Sequence, residues 1–373
     1  MKKILFVFGT RPEAIKLAPL IHRFREVPGE FHTRVAATAQ HRELLDQALL
    51  AFSIVTDYDL DVMHAGQSLF ASTSRIVAAL EPVLAAESPD MILVQGDTTT
   101  TLCGALAAFY RAIPVGHVEA GLRTGDVQQP FPEEMNRVLT SRLATLHFAP
   151  TATAAANLRR EGVDSARVFI TGNSGIDAVL AIRAGLESGD LQGAGLPSLD
   201  GRKKLILVTA HRRESFGDGF LGICAALKRI AERGDTEIVY SVHPNPNVRG
   251  IVNRELSGIA AIHLMEPLAY VPFVDLMRRA HVLLTDSGGI QEEGPSLGKP
   301  VLVMRDKTER PEAVEAGTAR LVGTDPERII EQTALLLDDQ AEYERRSRMH
   351  NPYGDGHASA RIVDAVRSYF AAA

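Results

Sequence analysis

Residues 4–20 read ILFVFGTRPEAIKLAPL: an unbroken apolar run, a glycine, then a segment with helical spacing. The run Ile4–Phe8 does not alternate with polar residues, as suits a parallel strand buried on both faces. Gly9 permits a tight turn, Thr10 suits a helix cap, and Pro12 suits the first helical turn. The segment reads as the opening strand–turn–helix unit of a doubly wound sheet. Its turn leaves backbone N–H groups and the Arg11 guanidinium at the carboxyl edge of the strand, where such sheets bind ligands. Taken alone, the segment also fits a plain strand-to-helix turn.

The same grammar continues along the chain. Continuous apolar runs predict strands at Val35–Ala37, Met91–Val94, Val115–Val118, Leu146–Ala149 and Val168–Ile170. A second set lies at Leu205–Val208, Ile238–Val242, Ile262–Met265, Val282–Leu284, Val301–Met304 and Leu321–Val322. Helical patterns separate them, such as Ser68–Ala86, whose Leu69, Ile76, Leu80, Val83 and Leu84 share a face expected to pack in a core. Strand–helix alternation on this scale predicts an α/β protein with two doubly wound parallel sheets. The length of 373 residues, more than one core usually serves, agrees with two domains. Composition marks a break in the Gly-, Ser- and Asp-rich stretch Arg183–Lys204. No internal repeat is present.

Charge and composition exclude several classes. A formal net charge of −6 lacks the basic footprint of a nucleic-acid binder. Cys103 and Cys224 are far apart in helical patterns and read as buried core thiols, with neither a disulfide framework nor a metal-ligand spacing. The histidines and carboxylates also lack ligand spacing, so no metal is expected. Lys2-Lys3 and Ile4–Phe8 are too short for a signal peptide, and no stretch is expected to approach the length of a membrane span. The expectation is a cytoplasmic protein without a membrane partner. No GxGxxG follows the opening strand, which argues against a bound nicotinamide cofactor there.

Unusual residues gather just beyond the strands. Gln95-Gly96-Asp97-Thr98-Thr99-Thr100-Thr101 runs from strand into helix, and Asp97 suits either an N-cap or chemistry. Glu119, in His117-Val118-Glu119-Ala120-Gly121, ends a buried strand, where an ionised carboxylate needs partners. Glu133 and Glu134 follow Pro132, and either can simply complement a helix dipole. Asp97, Glu119 and one of that pair can converge on one wall of a cleft. In the second half, His211 follows Leu205–Val208 and His243 follows Ile238–Val242. Ser287, Gly288 and Gly289 open a helix, an arrangement that makes an anion site. Glu293, one turn in, suits ribose hydroxyls, and Arg310 adds a further anion contact.

Together these segments resemble the non-hydrolysing UDP-N-acetylglucosamine 2-epimerase family. The ordered set is GTRPEAIKLAPL, TAQHRELLDQ, QGDTTT, HVEAGLRTGD, PFPEEMNR, TAHRRESFG, HPNP, DSGGIQEEGPSLGKPVLVMRDKTERPEA and NPYGDGHAS, which covers essentially the whole chain. The resemblance implies a GT-B fold, two Rossmann-like domains with the active site in the cleft between them. It places residues 1–170 in the first domain and 171–357 in a UDP-binding second domain, with the boundary near Thr171. The last helix, about 358–373, then returns to the first domain. A homodimer is implied as well.

The activity implied is interconversion of UDP-GlcNAc and UDP-ManNAc without a cofactor. The route is anti elimination of UDP to 2-acetamidoglucal, then re-addition to the opposite face. The C2 proton is not acidic until UDP begins to leave, and oxocarbenium character at C1 then lets a carboxylate take it. The family's catalytic carboxylates map to Asp97, Glu119 and Glu133, with His211 beside them. Substrate and UDP contacts map to Arg11, Lys16, His243, Phe273, Ser287, Gly288, Gly289, Glu293 and Arg310. A regulatory second UDP-GlcNAc site maps to Gln40, Arg42 and Gln67. A hydrolysing epimerase, a GT-B glycosyltransferase and a UDP-sugar sensor remain as alternatives at this level.

Overall fold

Every strand pairing among the described residues is parallel, as continuous apolar runs require. The computed structural model describes residues 1–38, 42–62 and 66–372, with the backbone alone for 42–44. The first sheet contains β1 (Lys2–Phe8), β2 (Phe31–Ala37), β3 (Tyr58–Asp59), β4 (Met91–Gln95), β5 (Val115–Val118), β6 (Leu146–Ala149) and β7 (Val168–Ile170). Its order is β3-β2-β1-β4-β5-β6-β7. The second contains β8 (Lys204–Thr209), β9 (Thr236–Ser241), β10 (Ile262–Met265), β11 (Val282–Thr285), β12 (Val301–Val303) and β13 (Ala319–Leu321). Its order is β10-β9-β8-β11-β12-β13. Both sheets reverse direction of growth once, between β1 and β4 and between β8 and β11. At such switch points the following loops diverge and leave a crevice.

The chain divides into two compact units, Met1–Ala178 with Gly354–Ala373, and Val179–Tyr353. The parting falls inside the helix Ser174–Ser188, past Thr171 and before the Arg183–Lys204 stretch that composition marked. Asp177 gives the physical reason. Its carboxylate accepts from the backbone N–H groups of Ala358 (3.2 Å) and Ser359 (2.8 Å). It thereby caps the returning helix Ala358–Ala372 and holds the start of its own helix in the first unit.

One core lies on a face of the first sheet, where Leu5, Val7, Val94, Ile76, Leu80 and Cys103 pack together. In the second unit Ile206, Tyr240, Leu284, Phe220 and Cys224 do the same. Both cysteines are buried, and burial lifts each thiol to about 11.

Two sequence expectations are corrected by the helix Leu69–Glu87, which Ser68 caps. At 19 residues, with a mean hydropathy of 1.3, it is long and apolar enough to cross a membrane. A search for an uninterrupted apolar run misses it because Ser, Thr, Arg75 and Glu81 are interspersed. Ile76, Leu80, Val83 and Leu84 pack into the core as their spacing predicts, but Leu69 is 43% exposed and Phe70 is 89% exposed. The strand β3 is a further difference, too short at two residues to register as an apolar run.

Gly121 shows how tightly the loop after β5 is packed. Its φ is +90°, and a Cβ there would lie 2.3 Å from the carbonyl oxygen of Ala154. Gly121→Ala is expected to destabilise the protein by about 2–3 kcal/mol through backbone strain and overpacking. Thermal unfolding of the variant checks this, and an unchanged melting temperature would contradict the close approach.

Candidate active site

The carboxyl ends of β1, β4 and β5 bring one cluster together in the first unit. After β1, Thr10 caps the helix Arg11–Arg25 in a reciprocal capping box with Glu13. Glu13 is buried, and its carboxylate accepts from the N–H groups of Gly9 (3.1 Å) and Thr10 (2.7 Å). Its other oxygen accepts from the Thr98 hydroxyl at 2.8 Å, in the turn after β4. The cap of the next helix, Thr99–Tyr110, is Thr98 and not Asp97. Asp97 is therefore released from the capping role that its position suggested. It pairs with Arg137 at 3.0 Å, and the Asn136 side chain donates to its carbonyl at 2.9 Å.

Glu119, the first residue beyond β5, has a φ of 64°. Lys16 pairs with its carboxylate, and the side-chain amides of Gln95 and Asn173 donate to it, the latter at 3.0 Å. Three elements thus supply donors to one nearly buried acid, as its burial demands. Behind it, His117 is buried against the Gly96 carbonyl at 2.7 Å, and burial drives its ring down to about 3, so it is neutral.

The two acids after Pro132 have separate fates. Glu134 is buried and accepts from the backbone N–H groups of Thr124 (3.0 Å) and Gly125 (3.2 Å), a structural task. Glu133 stays half-buried at the start of the helix Glu133–Leu143, and its charge acts on Asp97. Asp97 is pushed up to about 6, chiefly by burial. Arg137 and Lys16 pull the other way, and Glu119 and Glu133 reinforce the rise.

The second unit carries its own cluster at the β8/β11 switch point. Asp286, buried at the end of β11, accepts from the N–H groups of His211 (2.6 Å) and Arg212 (2.7 Å). The His211 Nδ1 lies 3.0 Å from the same carboxylate. Burial works to raise Asp286, but the His211 ring and these amides outweigh it and hold the acid below its ordinary value. His211 stacks on His243 with centroids 5.5 Å apart. The His243 Nδ1 accepts from the Asn245 N–H at 3.1 Å, and burial, with His211 second, lowers its pKa. That neutral ring presents Nε2–H as a donor.

Ser287 precedes the helix Gly288–Ser296 without a side-chain cap bond, so the first N–H groups of the helix are not capped by it. Arg310 pairs with buried Glu292, and its guanidinium carbon would lie 3.7 Å from a Cβ on Gly288. Glu293 is half-buried and lies near Tyr270, whose phenol is raised well above its usual value by burial first and by Glu293 second. Phe273 is half-buried in the helix Tyr270–Arg279.

Of the first-unit residues singled out in the sequence, Asp97, Glu119, Glu133 and Lys16 belong to one cluster, with Arg11 on the adjoining helix start. Among the described residues Arg11 has no ion-pair partner. Lys16 pairs with Glu119. His211, His243, Ser287, Gly288, Gly289 and Arg310 gather in the second unit. Of the three regulatory candidates, Gln40 lies outside the described residues, as does the Arg42 side chain; Gln67 accepts from Arg75 at 3.1 Å. Among the described residues no three His, Cys, Asp or Glu side chains group as a metal site would need. Sequence reasoning missed Glu13, Gln95, Arg137, Asn173 and Asp286, the partners that hold the site. Burial at a strand end was the available signal for Asp286.

A carboxyl whose folded value lies above its unfolded one binds its proton more tightly in the fold. For Asp97 that stabilisation is present at low pH and is lost as pH rises from 3.8 through about 6. Asp97→Asn, which leaves Arg137 its contact with Glu134, is therefore expected to gain stability relative to the parent between pH 4 and pH 8, about that window. Paired thermal melts across pH check it, and a difference that stays flat would contradict the raised value.

Comparison with known proteins places these clusters in context. Residues 24–367 match the family model described as UDP-N-acetylglucosamine 2-epimerase. The UDP-N-acetylglucosamine 2-epimerase of Escherichia coli K12 is 59% identical over 371 residues, covering 98% of each chain. A crystal structure of UDP-GlcNAc 2-epimerase from Neisseria meningitidis bound to UDP-GlcNAc superposes with a TM-score of 0.89 at 48% identity, over 98% of this chain and 100% of that one. The Methanocaldococcus jannaschii enzyme in complex with UDP-GlcNAc and UDP gives 0.77 at 33% identity, over 98% and 99%. With matches of this extent and identity, the chain belongs to the UDP-N-acetylglucosamine 2-epimerase family.

Proposed function

We propose that the protein interconverts UDP-GlcNAc and UDP-ManNAc without hydrolysing them. In the forward direction the C1–O bond to UDP breaks, a carboxylate takes the C2 proton, and a C1=C2 double bond forms. Return of a proton to the opposite face of C2 and attack of the UDP phosphate oxygen on C1 complete the exchange. The observation that carries this reading is the strand-tip pair of Asp97 and Glu119. Asp97, raised to about 6, is poised to exchange a proton near neutral pH, while Glu119 is bonded as an ionised carboxylate is. Glu133 is the third acid, and its charge already acts on Asp97.

In this reading Arg11 of the first unit is assigned to the leaving diphosphate, as are His211 and the N–H groups at Ser287, Gly288 and Gly289 of the second, with Arg310 beside Gly288. These are fixed donors and cations suited to charge that grows as UDP departs. His243, Phe273 and Glu293 take the nucleoside. The product then serves cell-surface polysaccharide synthesis from the cytoplasm, where nucleotide sugars are made.

The same reading includes a homodimer. Leu69 and Phe70, with Phe109 (60% exposed) and Tyr110 (67% exposed), lie on the helices Leu69–Glu87 and Thr99–Tyr110, which pack side by side. In this reading the exposed side chains of Leu69 and Phe70, adjacent at the start of their helix, belong to the association face.

Proton NMR of UDP-GlcNAc with the enzyme in deuterium oxide tests the reaction. UDP-ManNAc should appear, with deuterium at C2 of both epimers. Free ManNAc and UDP would point instead to a hydrolysing enzyme, and retention of the C2 proton would contradict the route. Sedimentation should show a dimer that Phe70→Glu weakens; a monomeric parent would remove the association face.

A further inference from the structure

Glu13 takes no part in the chemistry above, yet it gathers polar contacts from both turns at the β1/β4 switch point. Its carboxylate is buried and reached from both sides of the crevice. From the β1 side it accepts the Gly9 and Thr10 N–H groups at 3.1 and 2.7 Å. From the β4 side it accepts the Thr98 hydroxyl at 2.8 Å, with the Thr101 oxygen 3.2 Å away. The Thr101 hydroxyl also donates to the Gln95 carbonyl at 2.6 Å, and the Gln95 side chain grips Glu119. The crossing is tight, since a Cβ on Gly9 would stand 2.5 Å from the Thr100 hydroxyl.

A capping box needs only the contacts within its own turn. The bond from Thr98 comes from the turn after a different strand and serves no cap of the first helix. Placing a carboxylate there is costly. Burial raises Glu13, and the bonds from Thr10, Thr98 and the Gly9 and Thr10 amides only partly offset it. What the arrangement does achieve is a fixed distance between two turns. One carries Arg11 and the other carries Asp97.

We propose that Glu13 is a positioning residue for the reaction: it ties the turn bearing Arg11 to the turn bearing Asp97 through its bonds to Gly9, Thr10 and Thr98. The inference rests on the epimerase reading. Slack in that tie lets the cation meant for the leaving diphosphate and the acid meant for C2 drift apart. Misplacement of reacting groups by about 1 Å costs on the order of 100-fold in rate.

The two candidate explanations, a tie and a charge, separate in the variants. Glu13→Gln keeps the tie, because its amide oxygen accepts the two N–H groups and its NH2 donates to the Thr98 hydroxyl. Glu13→Ala removes it, and Thr98→Val removes it from the other end. Glu13→Ala and Thr98→Val are expected to lower kcat by roughly 10- to 100-fold with KM little changed. Their combination should be no worse than either alone, as expected for two ends of one link. Glu13→Gln should keep most of the activity.

If Glu13→Ala does not fold, Thr98→Val and Thr98→Ser carry the same comparison. Parent-like kcat in Glu13→Ala or Thr98→Val overturns the proposal, and so does a Glu13→Gln as inactive as Glu13→Ala, which would make the charge essential. A parent that leaves UDP-GlcNAc unchanged overturns the epimerase reading and this inference with it. An active parent with indifferent variants overturns this inference alone.

Discussion

A buried carboxylate at the end of a parallel strand has to be met by donors brought from elsewhere in the chain, and Glu119 is such a group. Lys16 comes from the first helix, Gln95 from the neighbouring strand β4, and Asn173 from just beyond the last strand of the sheet. None is near Glu119 in sequence, so the sheet must close in its observed order before the acid can be accommodated. The left-handed backbone at Glu119 and the positive φ of Gly96 and Gly121 belong to the same loops. Strain of this kind persists only where the surroundings over-determine it.

The second unit solves the same problem after the strand beside its switch point, β11, whereas Glu119 lies one strand further out, after β5. There the buried acid is Asp286, its donors are two backbone amides, and the group it orients is His211. One unit presents a raised acid, Asp97, beside a closely bonded one, Glu119, and the other presents a histidine pair and a helix start without a side-chain cap. The division follows from the residues that end the strands, because the two sheets share their switch-point geometry.

The parallel sheets were legible because buried strands appear as continuous apolar runs, and the predicted segments lie within or overlap the observed strands. What escaped was either too short or too distant. Tyr58–Asp59 forms a strand only because β2 offers it a partner. Leu69 lies on the apolar stripe of its helix but at its exposed end. The residues that project chemistry were visible from their place after strands, whereas the residues that hold them were not. Asp97 and Thr98 are both good caps by type, and only the long-range contacts to Arg137 and Glu13 decide which of them caps. The family resemblance pointed to Asp97, Glu119 and Glu133, and the hydrogen bonds supply the physical reason such acids can stand at strand ends.

The central claim is that the bond between C1 and UDP breaks and re-forms while both pieces stay on the enzyme. Positional isotope exchange tests it most directly, using UDP-GlcNAc labelled with oxygen-18 in the bridge between the sugar and the diphosphate. The label is expected to scramble into the non-bridging oxygens of the β-phosphate as the epimers interconvert. Epimerisation with the label fixed in the bridge would contradict it.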